Sequence, residues 1–208
     1  MSVPLAALRR AARSRPPAPP PGERCDMCAE PIAADHDHVV DLRSRALMCT
    51  CHPCHLLFPD SDAARHYRAV PHRYRTFDGV PVSLDDLQIP VGLAFLFRNS
   101  VQQRVVACYP GPAGATESEL PLDAWERIVA RDPRLATVRP DVEALLLRRA
   151  EAAGHLVPID ACYELAGRLR RGWQGFDGGR ESRESLDTFF STVTARSRSA
   201  SASAPVTR

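Results

Sequence analysis

The sequence predicts an α+β fold in two parts: a small N-terminal ribbon-like cysteine module, then an α+β domain with a short sheet and about three helices. Three observations predict it. Five of the seven cysteines crowd between Cys25 and Cys54. Two apolar, strand-like runs follow within residues 89–109, separated by a polar turn. Residues 122–195 then carry apolar positions at helical spacing.

Residues 1–24 read as a disordered leader, since Pro16-Pro-Ala-Pro-Pro-Pro21 is stiff and cannot join a core. Val3 to Leu8 is too short for the apolar core of a signal peptide. The cysteine module spans residues 25–58. Between its arms, His38–Leu42 and Arg45–Cys49 read as two short strands, with Arg43 and Ser44 turning between them. Knuckle, hairpin and knuckle make a unit of the zinc-ribbon or rubredoxin kind. Such a unit is too small to fold on apolar burial alone. Residues 59–88 read as a connector, with a helical turn over Asp62–Arg68 and an extended stretch over Arg73–Phe77.

Residues 89–193 form the larger domain. Val91–Arg98 and Arg104–Tyr109 are expected strands, and Pro110–Thr116 an expected glycine-proline loop. Leu122–Arg131 is an expected helix stopped by Asp132-Pro133. Val142–Arg148 is a short apolar run that suits strand or helix. Asp160–Arg171 follows Pro158 and repeats Ala161, Leu165 and Leu169 on one face, a helix with cations in its last turn. Arg183–Ala195 is a final amphipathic helix with Leu186, Phe189, Phe190 and Val193 on its apolar face. Residues 194–208 are low in complexity and read as a disordered tail.

Composition excludes some functions. The longest apolar run, Ile89–Phe97, is too short to span a bilayer. All 27 cations are arginines. Residues 25–193 hold 19 of them against 24 acids, so the body is acidic and the basic charge sits in the tails. A nucleic-acid binder carries its basic patch on the folded surface, so this distribution argues against one. No export signal is read, so the chain is expected in the cytoplasm with reduced thiols.

Cys25-Asp-Met-Cys28 and Cys51-His-Pro-Cys54 are two Cys-x-x-Cys arms, the spacing of a tetrahedral thiolate site. The expected ligands are Cys25, Cys28, Cys51 and Cys54, holding zinc, or alternatively iron. Cys49 adds a fifth thiol. In an extended segment it faces the same side as Cys51, so it is a fifth or alternative ligand. Six of seven histidines lie between His36 and His72, and His52 and His55 interleave with the second arm. These two are read as solvated or hydrogen-bonded beside the thiolates rather than as ligands. Cys108 and Cys162 are read as core residues. Asp160, Tyr163 and Glu164 are read as a solvated helix face, and no catalytic group is assigned.

Several segments carry a resemblance. They are Cys25–Cys28, Leu47-Met-Cys-Thr-Cys-His-Pro-Cys-His-Leu-Leu-Phe58, Ile89-Pro-Val-Gly-Leu-Ala-Phe95, Tyr109–Ser118, Pro140–Leu147, Leu156–Tyr163 and Trp173–Gly179. Over roughly residues 24–193 the chain resembles an uncharacterised bacterial family encoded beside [NiFe]-hydrogenase genes in high-GC bacteria. The resemblance implies a role in hydrogenase assembly or electron transfer, with a hydrogenase subunit or maturation factor as partner. The expected function is a non-catalytic zinc-binding accessory protein. The alternatives are a rubredoxin-like iron electron carrier and a zinc-ribbon nucleic-acid-binding regulator.

Overall fold

In a computed structural model of the chain, residues 22–59, 66–82, 84–85, 87, 89, 92–111, 114–120, 122–149, 151–172 and 179–202 are described. The expected leader up to residue 21, the tail from residue 203 and most of the helical turn expected over Asp62–Arg68 lie outside them.

The first two strands of the described residues form a hairpin, β1 (Asp37–Asp41) and β2 (Ala46–Thr50), in which Val39 faces Met48 across the ladder. Its turn lacks glycine. Asp41 compensates by accepting hydrogen bonds from the Arg43 amide at 2.9 Å and the Ser44 hydroxyl at 2.7 Å. The one-turn helix α1 (His52–His55) follows, then β3 (Tyr67–Ala69), which adds to the free edge of β1. The segment read as a connector therefore supplies a third ribbon strand, and its second half supplies β4 (Arg75–Phe77) to another sheet.

That second sheet has six strands, in the order β4-β9-β8-β5-β6-β7, with every pair antiparallel. Its remaining strands are β5 (Leu93–Asn99), β6 (Arg104–Gly111), β7 (Gly114–Leu120), β8 (Glu143–Arg148) and β9 (Gly154–Pro158). The expected short sheet is thus corrected to a six-stranded one. The expected glycine-proline loop is taken up largely by strand, Pro110 and Gly111 ending β6 and Gly114–Thr116 opening β7; among the described residues β7 is an edge strand paired with β6, and its sequence, GATESEL, has no apolar alternation to announce it. β9 is brief and closes on Pro158.

The Val142–Arg148 run resolves into the central strand β8. Its apolar residues divide between two cores. Ala144 and Leu146 join one with Phe95, Phe97, Leu165, Leu169, Phe189 and Phe190. Leu145 and Leu147 join the other with Leu96, Trp125, Ile128 and Leu135. Both faces of the sheet are covered, so its central strands carry unbroken apolar runs, Leu93–Phe97 in β5 and Ala144–Leu147 in β8. This is why period alone left strand and helix open.

Helix α2 (Leu122–Arg131) and the 3₁₀ turn Pro133–Thr137 cover the second face. Asp132 caps that turn by accepting from the Arg134 amide. Helices α3 (Ile159–Gly172) and α4 (Gly179–Ala202) cover the first; α4 starts before the expected Arg183 and runs on through residues 194–202, so that part of the expected disordered tail is corrected to helix. Among the described residues there are four α-helices: three in the larger domain, where about three were expected, and α1, which the cysteine module was not expected to hold. Among the described residues, no helix is long and apolar enough to cross a membrane.

The ribbon packs on the first face. Val40 and Val70 belong to the same core as Phe97 and Ile159. Polar ties surround this seam: Arg68 to Asp141 at 2.8 Å, and Arg73 to Glu143 through two hydrogen bonds of 2.8 and 2.6 Å. Glu143 is fully buried and also accepts from the Arg139 amide, so its charge is matched on three sides.

Candidate metal centre

Backbone hydrogen bonds hold the first arm in place. The Cys25 amide donates to Glu30 O at 2.9 Å, and the Ala29 amide closes the knuckle on Cys25 O at 2.8 Å. Ala29 takes φ 62°, the left-handed conformation that such a reversal requires. The arm is pinned to β2 by Asp26, whose amide donates to Cys49 O and whose carboxylate accepts from the Cys49 amide, both at 2.8 Å.

The second arm is helical. Cys51 precedes α1, Pro53 lies in its first turn, and the His55 amide donates to Cys51 O at 3.0 Å. One turn carries Cys54 back beside Cys51.

The structure brings Cys25, Cys28, Cys51 and Cys54 together, with their sulfurs all within 4.8 Å of one another. The Cys28 and Cys51 sulfurs are 3.6 Å apart. A disulfide needs about 2.05 Å. A tetrahedral zinc with bonds of about 2.3 Å spaces its sulfurs by about 3.8 Å. The separation thus fits a shared cation.

The electrostatics agree. Burial opposes ionisation of Cys25, but the amides of Cys51, Cys28 and Met27 point at its sulfur and lower its pKa to about 6. Cys54 moves the other way, pushed up to about 12 by its hydrogen bond with Cys51, by burial and by the remaining thiols. Without a cation, the cluster accommodates negative charge at Cys25 and resists it at Cys54. A dication removes that conflict and deprotonates all four sulfurs.

Cys49 lies outside this group, beside His36 and His38. The shared face inferred for Cys49 and Cys51 ends with β2 at Thr50, because Cys51 already belongs to the entry into α1. Burial, then Asp26 and Glu23, push the Cys49 thiol up.

His52 and His55 also lie outside the four-sulfur group. His52 Nδ1 is 2.8 Å from Asp37 Oδ2, His72 Nε2 is 2.6 Å from Asp37 Oδ1, and His55 Nε2 donates to Val70 O at 3.0 Å. Burial works against the Asp37 carboxylate, but hydrogen bonds from His52 and His72 outweigh it and lower its pKa. Asp37, His52 and His72 line a cleft of about 840 Å³ with Thr50, Tyr74 and Arg196. Sequence reasoning missed both histidine groups. The available signal was His36-Asp-His38, whose alternation sends the two imidazoles to one face and Asp37 to the other.

The remaining candidates are dispersed. Cys108 and Cys162 are buried in the first core, and burial raises both thiols. Asp160 meets His38, Glu164 pairs with Arg168, and Tyr163 is partly exposed beside Arg45 and Ile159, so these three do not converge.

No curated protein and no solved structure matches the chain. Residues 24–197 match the family model DUF5947, described as a family of unknown function. That span takes in the four-sulfur group and both sheets, and the chain belongs to this family.

Proposed function

We propose that the chain is a non-catalytic zinc-binding accessory protein. In this reading Cys25, Cys28, Cys51 and Cys54 close a structural zinc centre that holds the ribbon in shape, and the ribbon and six-stranded domain together form a docking unit. The observation that carries it is the convergence of the four sulfurs, with three backbone amides aimed at Cys25. A four-thiolate shell leaves no open position, which suits a structural ion rather than a catalytic one. The hydrogenase partner, and a role in assembly or maturation, rest on the sequence resemblance. Zinc analysis of the native protein tests the ion. Gene deletion tests the role: lost hydrogenase activity or unprocessed subunits is the expected result, and unaffected processing and activity would sink it.

A second reading is a rubredoxin-like iron carrier. Cys28 favours it, because its exposure opens one edge of the sulfur cluster towards a redox partner. Four thiolates serve iron as well as zinc. Iron would give a red protein with charge-transfer absorption. A colourless, zinc-loaded protein from iron-replete cells would remove this reading.

A further inference from the structure

We propose that His36, His38 and Cys49 form a second metal site, holding a late first-row divalent cation such as zinc or cobalt with one coordination position left open. The strand pairing creates it. His38 and Cys49 are directly opposed in the β1–β2 ladder, so their side chains share a face. His36, two residues earlier, falls on that face as well, and the two imidazole rings lie 4.8 Å apart.

Both imidazoles are held as metal-ligating histidines are held. His36 Nδ1 donates to Ala33 O at 2.8 Å. A carbonyl can only accept, so the ring proton is on Nδ1 and Nε2 carries a lone pair. The His36 side chain is only 9% exposed, and its Nε2 is buried without a hydrogen-bond partner. Leaving such an atom unsatisfied is costly, and a bound cation removes the cost. His38 Nδ1 donates to the Asp160 carboxylate at 3.0 Å, the carboxylate–histidine arrangement that orients a ligand and raises its basicity. Asp160 stands in the first turn of α3, so the second domain would position a ligand of the first.

One candidate ligand atom from each residue lies within 4.8 Å of the others. Zinc bonds of about 2.0–2.3 Å require separations of about 3.3–3.7 Å, so the side chains need close by little more than about 1 Å. Two neutral imidazoles and one thiolate leave a divalent ion with net positive charge. Glu23 Oε2, 3.6 Å from His36 Nδ1, and Asp26, bonded to the Cys49 amide, offset it. Binding releases the Cys49 thiol proton to solvent. The open fourth position makes this ion exchangeable or able to take an outside ligand, unlike one enclosed by four thiolates.

The site shares no ligand with the four-sulfur centre, and one experiment separates them. The full chain is stripped of metal under reducing conditions and titrated with Co²⁺, following bound metal per chain and the cobalt absorption spectrum. The wild type is expected to bind two equivalents. Cys49→Ser and His36→Gln should each bind one, with the spectrum of the four-thiolate cobalt and the far-UV circular dichroism unchanged, while Cys51→Ser, which loosens the hairpin that carries both sites, should lose the first equivalent and weaken the second. Asp160→Asn, which keeps all three ligands, should weaken only the second equivalent by about 10–100-fold. A single equivalent in the wild type, abolished by Cys51→Ser and untouched by Cys49→Ser, overturns the second site and leaves the four-thiolate reading standing. A single equivalent lost in Cys49→Ser and kept in Cys51→Ser does the reverse. Two equivalents retained in both Cys49→Ser and His36→Gln also overturn the proposal.

Discussion

Removing the metal should unfold the ribbon and spare the six-stranded sheet. Among the described residues of the cysteine module, Val39 and Val40 are the only buried aliphatic side chains. Together they contribute about 3–6 kcal/mol. Structural zinc contributes about 10–16 kcal/mol in comparable small modules. The weaker end corresponds to a Kd of about 5 × 10⁻⁸ M. At about 50 µM free zinc, the bound ion then adds about 4 kcal/mol to local stability, a factor of about 10³. Native-state hydrogen exchange measures this residue by residue. After chelation, the amides of Val39, Val40 and Met48 should exchange at least about 10³-fold faster. Leu96 and Leu145, each packed between neighbouring strands of the large sheet, should keep their protection. Unchanged exchange at Val39 and Val40 after complete metal removal would refute the reasoning, because the ribbon would then be held by its seam with the domain.

Alkylation of the chelated, reduced protein should add five groups, at Cys25, Cys28, Cys49, Cys51 and Cys54, while buried Cys108 and Cys162 react only in denaturant. Mass spectrometry counts them. Arg73→Met leaves the fully buried Glu143 without its bidentate partner and should cost about 3–5 kcal/mol, lowering Tm by about 6–20 °C. Arg73→Met combined with Glu143→Leu should recover much of that loss, as calorimetry would show. Arg134 holds the Asp132 carboxyl below its ordinary range. The folded state thus binds that proton less readily than the unfolded one. The stabilisation is present above about pH 4 and is lost as pH falls through the lower folded value. Asp132→Ala should lower Tm at neutral pH and flatten the acid limb of the stability profile; an acid limb identical to wild type would refute the assignment.

Local chemistry made much of this chain legible from residue order. The Cys-x-x-Cys spacing of Cys25, Cys28, Cys51 and Cys54 identified the four sulfurs that the fold brings together. Asp132-Pro133 marked the end of α2, and the fourfold repeat of Ala161, Leu165 and Leu169 marked the buried stripe of α3. Such signals lie within a few residues and need no partner to be read. Tertiary structure decided what depends on neighbours distant in sequence. The Val142–Arg148 run became a strand because helices cover both faces of its sheet. GATESEL became a strand only because β6 offers it an edge. Cys49 left the thiolate group because β2 ends at Thr50, and its ladder pairing set it opposite His38. His38 in turn acquired Asp160 from 122 residues away, a contact that no local pattern encodes.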